Sequence, residues 1–276
     1  MGIRVLVLDM ARVNALNKVI AILIAGTTGG MLKILGGILY GSNTLFVDAL
    51  TSIANMIALL MVIWSKRVTT IPPDSDHHFG HERFEYIGIL VMIVTYGFVA
   101  GISITRLYYV REYSVELDAF YLAVAAILVY SIAIFLSRSA PPSIRAYGAF
   151  TISEVLEGVV SIIASLGGAL YSYLIDYGGA VLLTSYIFYE IYEEGRNLAS
   201  FMADEAPPLS IYEKVVGIVE SEGFSIKSIR LRTIVPGKYH GDIVLSPGST
   251  RYESLKNLKK KLGENGVDVC IEVSSP

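Results

Sequence analysis

Long runs of apolar residues, separated by short polar connections, dominate the chain as far as residue 201. Six of these runs come close to the ~20 residues that a helix needs to cross the hydrocarbon core of a bilayer. They lie at about residues 19–40, 45–65, 84–108, 117–136, 146–171 and 177–201. The sixth is apolar mainly up to Tyr192 and continues as a predicted helix. The pattern predicts an all-α bundle of six transmembrane helices within residues 1–206.

The pattern changes after Pro207-Pro208, where short amphipathic segments replace the long apolar runs. The predicted order is helix, strand, strand, helix, strand, at residues 210–221, 226–235, 241–245, 252–262 and 267–273. This order suits a small two-layer α+β domain with its helices on one face of a sheet. A domain of about 70 residues is marginally stable alone, so residues 207–276 are predicted to dimerise.

Composition supports a membrane protein. The chain has 276 residues, 53% of them apolar, and a mean hydropathy of +0.56. A soluble domain with this composition would expose too much apolar surface. The net charge of −3 and the lack of a basic run argue against nucleic-acid binding. The single cysteine, Cys270, excludes an internal disulfide. The N-terminal sequence does not indicate a removable signal peptide. The sequence shows no recognisable catalytic motif, so no enzyme is predicted.

Basic residues flank the predicted spans unequally. The N-terminal basic residues fall on one side with Lys66, Arg67, Arg83, Arg138, Arg145 and Arg196. Only Arg106 and Arg111 fall on the other side. Because positively charged residues concentrate on the cytoplasmic side, both termini are predicted to be cytoplasmic in a plasma-membrane protein.

Polar side chains form stripes inside two of the spans. In the second span they lie at i, i+3, i+4 and i+7, on one helical face: Asp48, Thr51, Ser52 and Asn55. In the fifth span they are Ser153, Glu154, Glu157, Ser161 and Ser165. A central Asp or Lys costs about 2.5–3.5 kcal/mol on insertion scales. Two facing stripes would line an oxygen-rich path for a cation. The alternative is hydrogen bonding between helices, which explains the hydroxyl and amide residues but explains Glu157 poorly.

A lysine in the first span, Lys33, is the other charge at membrane depth. It either extends toward the interface or pairs with a carboxylate, and structural pairing is the favoured interpretation.

The loop between the second and third spans holds three of the four histidines: His77, His78 and His81. Carboxylates flank them, and both groups are common ligands of first-row divalent metals. The alternative is a solvated loop without metal. The spacing His77-x-x-x-His81 is not a metalloprotease motif, because His78 stands where the catalytic glutamate would be.

Four motifs occur in order along the chain. They are Lys33-x-x-x-Gly37-x-x-x-Gly41-Ser42 running into Val47-Asp48-Ala49, Pro73-Asp74-x-x-His77-x-Phe79-Gly80-His81-x-Arg83-x-Glu85, Asp204-Glu205-Ala206-Pro207, and Leu231-Arg232-Thr233. Together they resemble the cation diffusion facilitator family, whose members exchange zinc, manganese, iron and related divalent metals for protons. The resemblance implies six spans, a ferredoxin-like cytoplasmic tail, a homodimer, export from the cytoplasm and no organic cofactor.

The resemblance also implies two metal sites. The loop site would use Asp74, His77 and His81, a donor set that suits Zn²⁺ or Fe²⁺. The transport site would use the positions of Thr51, Asn55, Ser153 and Glu157, with Asp48 and Glu154 as possible substitutes. The family typically has His or Asp pairs at these positions. Oxygen ligands without imidazole favour a harder cation such as Mn²⁺ or Mg²⁺ over Zn²⁺. The resemblance implies Zn, Mn or Fe as the cargo, and the choice among them stays open.

Two further expectations concern the cytoplasmic side. Arg83 and Asp204, at the start of the third span and beyond the sixth, are expected to form a charge contact that steadies the dimer. Tail metal sites are not expected, because Ile229, Leu245 and Glu272 stand where the family often has histidines. Two other functions stay open: a family-like protein that binds metal at the loop as a sensor or scaffold, and an unrelated transporter of organic cations.

Overall fold

The computed structural model describes residues 2–109, 112–138, 142–247 and 252–274. Arg111, used above for orientation, lies outside this part, as do the side chains of Arg138 and Arg145. Six long helices occur in the described residues before the tail. They are α1 (Gly2–Ile38), α2 (Asn43–Val68), α3 (Glu85–Tyr109), α4 (Leu117–Arg138), α5 (Pro142–Leu170) and α6 (Tyr173–Met202).

Five helical stretches among the described residues are long and apolar enough to cross a membrane. They are Ile20–Ile38, Asn43–Val68, Glu82–Tyr109, Leu117–Phe135 and Ser153–Leu170. Helix α6 is not among them. Its second half carries Glu190, Glu193, Glu194 and Arg196, so its apolar part is short.

The first helix begins at Gly2, well before the span predicted from residue 19. The apolar run locates only the part of a helix that suits a bilayer. Between Gly2 and Gly26 the sequence has neither glycine nor proline, so nothing ends the helix at the edge of the apolar run.

Two sets of helices pack within the membrane bundle. An apolar cluster joins α2, α3 and α6 through residues such as Ala54, Val99 and Ile187. Helix α4 packs against both α1 and α5. Its approach to α1 depends on Gly29, where an added Cβ would lie 2.6 Å from the ring of Tyr130. A small residue is therefore required at the point where these two helices meet.

A fully buried carboxylate, Asp176 in the first turn of α6, ties the helices together at the α1–α2 turn. It accepts hydrogen bonds from the Ser42 hydroxyl at 2.6 Å, the Asn43 backbone amide at 2.7 Å and the Tyr113 hydroxyl at 2.9 Å. The amide of Asn43 belongs to the first residue of α2, where helix N–H groups have no partner within the helix. A carboxylate from another helix therefore caps α2.

The tail consists of α7 (Leu209–Ser221), β1 (Ile226–Val235), β2 (Lys238–Leu245), α8 (Tyr252–Glu264) and β3 (Val267–Val273). Strands β1 and β2 pair antiparallel across a turn at Gly237, whose φ is +87°. Strands β2 and β3 pair parallel, with α8 as the connection. The sheet order is β1-β2-β3. Side chains of α7 and α8, including Val215, Val219 and Leu258, share one apolar core with the sheet.

The chain divides into two compact units, Met1–Ile63 with Gly88–Glu194, and Trp64–Ile87 with Gly195–Pro276. The second unit therefore includes the histidine loop as well as the tail. Contacts join the two segments of this unit. The Tyr86 hydroxyl donates to the carbonyl of Ile234, and the Lys238 ammonium pairs with Glu82.

Replacing Asp176 by alanine is expected to lower the free energy of unfolding by about 3 kcal/mol, because Ser42, Tyr113 and the first amides of α2 lose their acceptor. Denaturation of the detergent-solubilised protein, followed by circular dichroism, measures this change. Asp118 is an exposed carboxylate in the first turn of α4 and provides the matched control. Asp118→Ala should cost less than about 1 kcal/mol. Equal effects of the two substitutions would contradict a special role of Asp176.

Candidate functional site

The polar stripes of α2 and α5 face each other, and Glu157 lies between them with 3% of its surface exposed. The Thr51 hydroxyl donates to its Oε2 at 2.6 Å, and the Ser153 hydroxyl donates to its Oε1 at 3.2 Å. Three of the four residues assigned to the transport site from sequence are therefore in direct contact.

Asn55, the fourth of these residues, makes its hydrogen bonds elsewhere. Its Nδ2 donates to Oε1 of Glu154 at 2.7 Å, and its Oδ1 accepts from the hydroxyl of Tyr96 on α3. Glu154 thus stands opposite Asn55, and Glu157 stands opposite Thr51. The sequence analysis named Glu154 only as a possible substitute, and the structure places it in direct contact with Asn55.

Lys33 of α1 reaches the same cluster and is completely buried. Its ammonium donates to Asp48 Oδ1 at 2.6 Å, to Glu154 Oε2 at 2.5 Å and to the Ser52 hydroxyl at 2.9 Å. The ring of Tyr130 lies 4.5 Å from the nitrogen, within range of a cation–π interaction. The structure therefore shows Lys33 paired with carboxylates rather than extended toward an interface.

The cluster as a whole combines three buried carboxylates with one buried ammonium. Asp48 is held on its other side by the Ser161 hydroxyl, which donates to Oδ2 at 2.7 Å. Charges at such depth are costly unless they are paired and hydrogen-bonded. Asp48 and Glu154 share the ammonium, whereas Glu157 accepts hydrogen bonds from the hydroxyls of Thr51 and Ser153. Carboxylate and hydroxyl oxygens such as these are ligands that hard divalent cations prefer.

A cavity of about 290 Å³ lies beside this cluster. Its lining includes Met92, Tyr96, Ser153, Tyr186, Glu190, Glu193 and Glu194. Tyr96 and Ser153 each hydrogen-bond a cluster residue, so the cavity borders the cluster directly. The glutamates of α6 give this space a negative potential, which attracts cations.

The histidine loop brings together Asp74, His77 and His81. One potential ligand atom from each residue lies within 4.8 Å of the others. His77 Nδ1 is 3.6 Å from Asp74 Oδ1, and His81 Nε2 is 3.5 Å from Asp74 Oδ2. Asp74 and His77 are exposed, whereas His81 is buried. Two imidazoles and one carboxylate at this spacing suit Zn²⁺ or Fe²⁺, with room for a further ligand.

The backbone of the loop positions Asp74. The amides of His77 and Asp76 donate to its Oδ1 at 2.8 and 3.0 Å, an arrangement typical of Asp in turns. These hydrogen bonds and the neighbouring imidazoles of His81 and His77 lower the pKa of Asp74. Asp74 therefore stays ionised at a lower pH than an ordinary aspartate, and an ionised carboxylate is the form that binds metal.

The charge contact expected between Arg83 and Asp204 is present, and it includes a third residue. Arg83 pairs with Oδ1 of Asp204, and Arg232 of β1 donates to Oδ2 at 2.8 Å. Partial burial alone would raise the pKa of Asp204, but the hydrogen bonds from Arg232 and Arg83 hold it below its ordinary value. Asp204 also has a φ of 55°, in the left-handed region that Asp and Asn adopt more readily than most residues.

Comparison with known proteins identifies the membrane part. A model of the cation efflux transmembrane domain matches residues 19–202, well over half of the chain. The chain belongs to the cation diffusion facilitator family. The resemblance inferred from the motifs is thereby confirmed. The protein is an integral membrane protein of a family that transports divalent metal cations, and this family does not consist of enzymes.

Several relatives are similar to this chain over different lengths. An uncharacterized transporter of Methanocaldococcus jannaschii is 22% identical over 212 residues, 72% of each chain. The manganese efflux system protein MneP of Bacillus subtilis is 34% identical over 94 residues, 32% of this chain and 30% of its own. The magnetosome protein MamM of Magnetospirillum gryphiswaldense is 31% identical over 71 residues, 26% of this chain and 22% of its own.

Sequence reasoning missed several residues of these sites. Tyr96 and Tyr130 stand in apolar spans, without a polar residue three or four positions away on either side, so no stripe marks them. Arg232 appeared only as part of a family motif. Glu190 carried a usable signal, because an acidic residue within the predicted sixth span is unusual.

Asp204→Asn is expected to cost more stability than Arg83→Gln or Arg232→Gln, because one carboxylate serves both guanidinium groups. The loss should be about 1 kcal/mol for Asp204→Asn and about half of that for each arginine. Asparagine keeps the left-handed backbone, so the comparison isolates the charge. Chemical denaturation measures all three variants.

The same contact gives a pH dependence with a defined sign. A lowered folded-state pKa contributes stability that is present above the unfolded-state pKa and is lost as the pH falls through the folded-state pKa. The wild type and Asp204→Asn should therefore converge in acid. A constant difference between them across that range would contradict the ionic contact.

Proposed function

We propose that this protein exports a divalent metal cation from the cytoplasm in exchange for protons, and that it works as a homodimer. The observation that carries the proposal is Glu157, a buried carboxylate that accepts hydrogen bonds from the neutral hydroxyls of Thr51 and Ser153. A carboxylate at membrane depth is costly, and such residues commonly mark ion pathways. Glu157 would bind cargo when it is ionised and release it when it is protonated.

The cargo site would comprise Thr51, Asn55, Ser153 and Glu157, with Oε1 of Glu154, which accepts from Asn55, beside them. All of these side chains offer oxygen, and an oxygen set favours Mn²⁺ or Mg²⁺ over Zn²⁺. MneP and MneS, two relatives from Bacillus subtilis, are named as manganese efflux system proteins. Mn²⁺ is therefore the first cargo to test, with Zn²⁺ and Fe²⁺ next.

The cavity beside the cluster would serve as the entrance for the cation. It is lined by carboxylates of α6 and borders Ser153 and Tyr96. Cations would concentrate there before they reach Glu157, because clefts of one charge raise the local concentration of the opposite ion.

Helix α6 would be the sixth span, although its apolar part is short. Its inner-core residues Ala180, Leu183 and Ile187 pack with α2 and α3, which supports a place inside the bundle. Six spans with the positive-inside charge pattern would leave both termini in the cytoplasm at the plasma membrane. Residues 1–206 would then form the membrane domain.

Residues 207–276 would form a ferredoxin-like cytoplasmic domain that joins two protomers. An antiparallel β1–β2 pair, followed by a helical crossover to a parallel β3, supports this fold. The domain is small, so a partner subunit would cover surface that it cannot bury itself. The loop site of Asp74, His77 and His81 would hold a structural metal within the compact unit that also contains this domain.

Glu157→Gln is expected to abolish cation flux while the protein stays folded. Glutamine keeps the size and a hydrogen-bonding oxygen of the side chain but cannot carry charge, so affinity for a divalent cation should fall about 100-fold. Uptake of Mn²⁺ into proteoliposomes with an imposed pH gradient measures the flux. Glu116 is an exposed carboxylate in the same unit, and Glu116→Gln is the matched control.

The flux assay also separates the competing functions when it includes Zn²⁺, Fe²⁺, Co²⁺, Cd²⁺ and Mg²⁺. Metal binding without flux would favour a sensor or scaffold, which is consistent with uncharged side chains at Thr51 and Asn55. Indifference to every metal would favour an organic cation. Full flux in Glu157→Gln would refute the assigned site.

His77→Ala and His81→Ala are each expected to remove metal binding at the loop. A three-ligand site that loses one imidazole retains too few donors to hold Zn²⁺ tightly. His78→Ala is the control, because His78 is an adjacent exposed histidine outside the Asp74 group. Zinc titration calorimetry in a Glu157→Gln background isolates the loop. Equal loss of binding in all three variants would contradict the ligand assignment.

A further inference from the structure

Lys33 is coordinated as a bound cation would be. Its ammonium has three N–H donors, and two carboxylates and one hydroxyl accept them at 2.5–2.9 Å. A tyrosine ring covers a further side. A lysine that merely filled space between helices would not need two carboxylates from two different helices, α2 and α5.

The carboxylates that hold Lys33 belong to the same cluster as Glu157. Glu154 gives one oxygen to Lys33 and the other to Asn55, and Asn55 is one of the residues proposed for the cargo site. Ser52 links Lys33 to Glu154 a second time, since its hydroxyl accepts from Lys33 and donates to Glu154 at 2.7 Å. Glu154 therefore connects the ammonium to the proposed cargo site through Asn55.

The formal charges of the cluster lead to a simple match. Asp48, Glu154 and Glu157 carry three negative charges when ionised, and Lys33 carries one positive charge. The remaining formal charge is −2, equal and opposite to that of a divalent cation. Without Lys33 it would be −3, and an uncompensated charge at this depth is strongly unfavourable.

We propose that Lys33 is a specificity-determining residue: its ammonium is a tethered counter-cation that sets the charge of the site for a divalent cargo. It keeps Asp48 and one oxygen of Glu154 away from the cargo and leaves Glu157 with its hydroxyl partners to bind it. This inference rests on the proposed function, because it assumes that the cargo binds at Glu157.

The charge can be varied in steps with substitutions of nearly constant size. The cluster has a formal charge of −1 in Asp48→Asn, −3 in Lys33→Met, and again −2 in the double variant Lys33→Met with Asp48→Asn. Mn²⁺ binding to the detergent-solubilised full chain, measured by calorimetry, reports the result. Asp48→Asn should weaken binding about tenfold, and adding Lys33→Met should restore it to within about twofold of the wild type.

Competition by a monovalent cation gives a readout that a purely structural lysine would not change. In Lys33→Met the vacated position between Asp48 and Glu154 suits a small monovalent cation. About 0.1 M Na⁺ should therefore lower the apparent affinity for Mn²⁺ about tenfold in Lys33→Met and less than about twofold in the wild type. Choline chloride at the same concentration controls for ionic strength.

The outcomes are distinguishable. Failure of Lys33→Met to restore binding in the Asp48→Asn background, or equal Na⁺ effects in wild type and Lys33→Met, overturns the role of Lys33 and leaves the proposed function intact. If Lys33→Met alone does not fold, the comparison of Asp48→Asn with the charge-balanced double variant still tests whether Mn²⁺ binding follows the formal charge of the cluster. Absence of divalent binding and flux in the wild type overturns the proposed function itself.

Discussion

The contact between one ammonium and two carboxylates at the centre of the bundle constrains the rest of the membrane part. A charged group is costly at this depth when it stands alone. Lys33, Asp48 and Glu154 become tolerable because α1, α2 and α5 bring them together within hydrogen-bond distance. The positions of these helices are therefore coupled to one another through charge as well as through packing. A shift of any one helix would leave a buried charge without its partner.

Small residues and hydrogen bonds then fix how closely the helices can approach. Gly29 lets the ring of Tyr130 lie against α1, and that ring covers the ammonium of Lys33. At the α1–α2 turn, Asp176 holds the start of α2 through backbone and side-chain donors. The stripe on α2 is thus fixed at its beginning by a cap and along its length by partners on α5. Glu157 stands out against this background, because its partners are neutral hydroxyls that a cation can share.

The sequence predicted the stripes but not which residues pair across them, for a physical reason. Spacing along one helix determines which residues share a face, so Asp48, Thr51, Ser52 and Asn55 could be grouped without a structure. Spacing does not determine the register between two helices, so it could not show that Asn55 bonds Glu154 while Thr51 bonds Glu157. In the tail, turn residues and alternation marked the strands, and β2 starts three residues earlier than predicted because it pairs with β1 through Lys238. Contacts of lone aromatic residues such as Tyr96 leave no periodic trace at all.

The replacement of charged ligands by Thr51 and Asn55 need not mean that the site has lost its charge. Glu154 follows Ser153 in the sequence, and its Oε1 accepts a hydrogen bond from Asn55. If the register of α5 is shifted by one residue, Glu154 takes the place of Ser153 and supplies a second carboxylate beside Glu157. The carbonyl oxygen of Asn55 accepts a hydrogen bond from Tyr96 and has a second lone pair for a cation, so cargo binding and the contact between α2 and α3 would share one atom. Under the proposed function, this shared atom would link occupancy of the site to the packing of α3, which lines the cavity that leads to it. A change in cation position would then become a change in helix contact, and transport requires such a link.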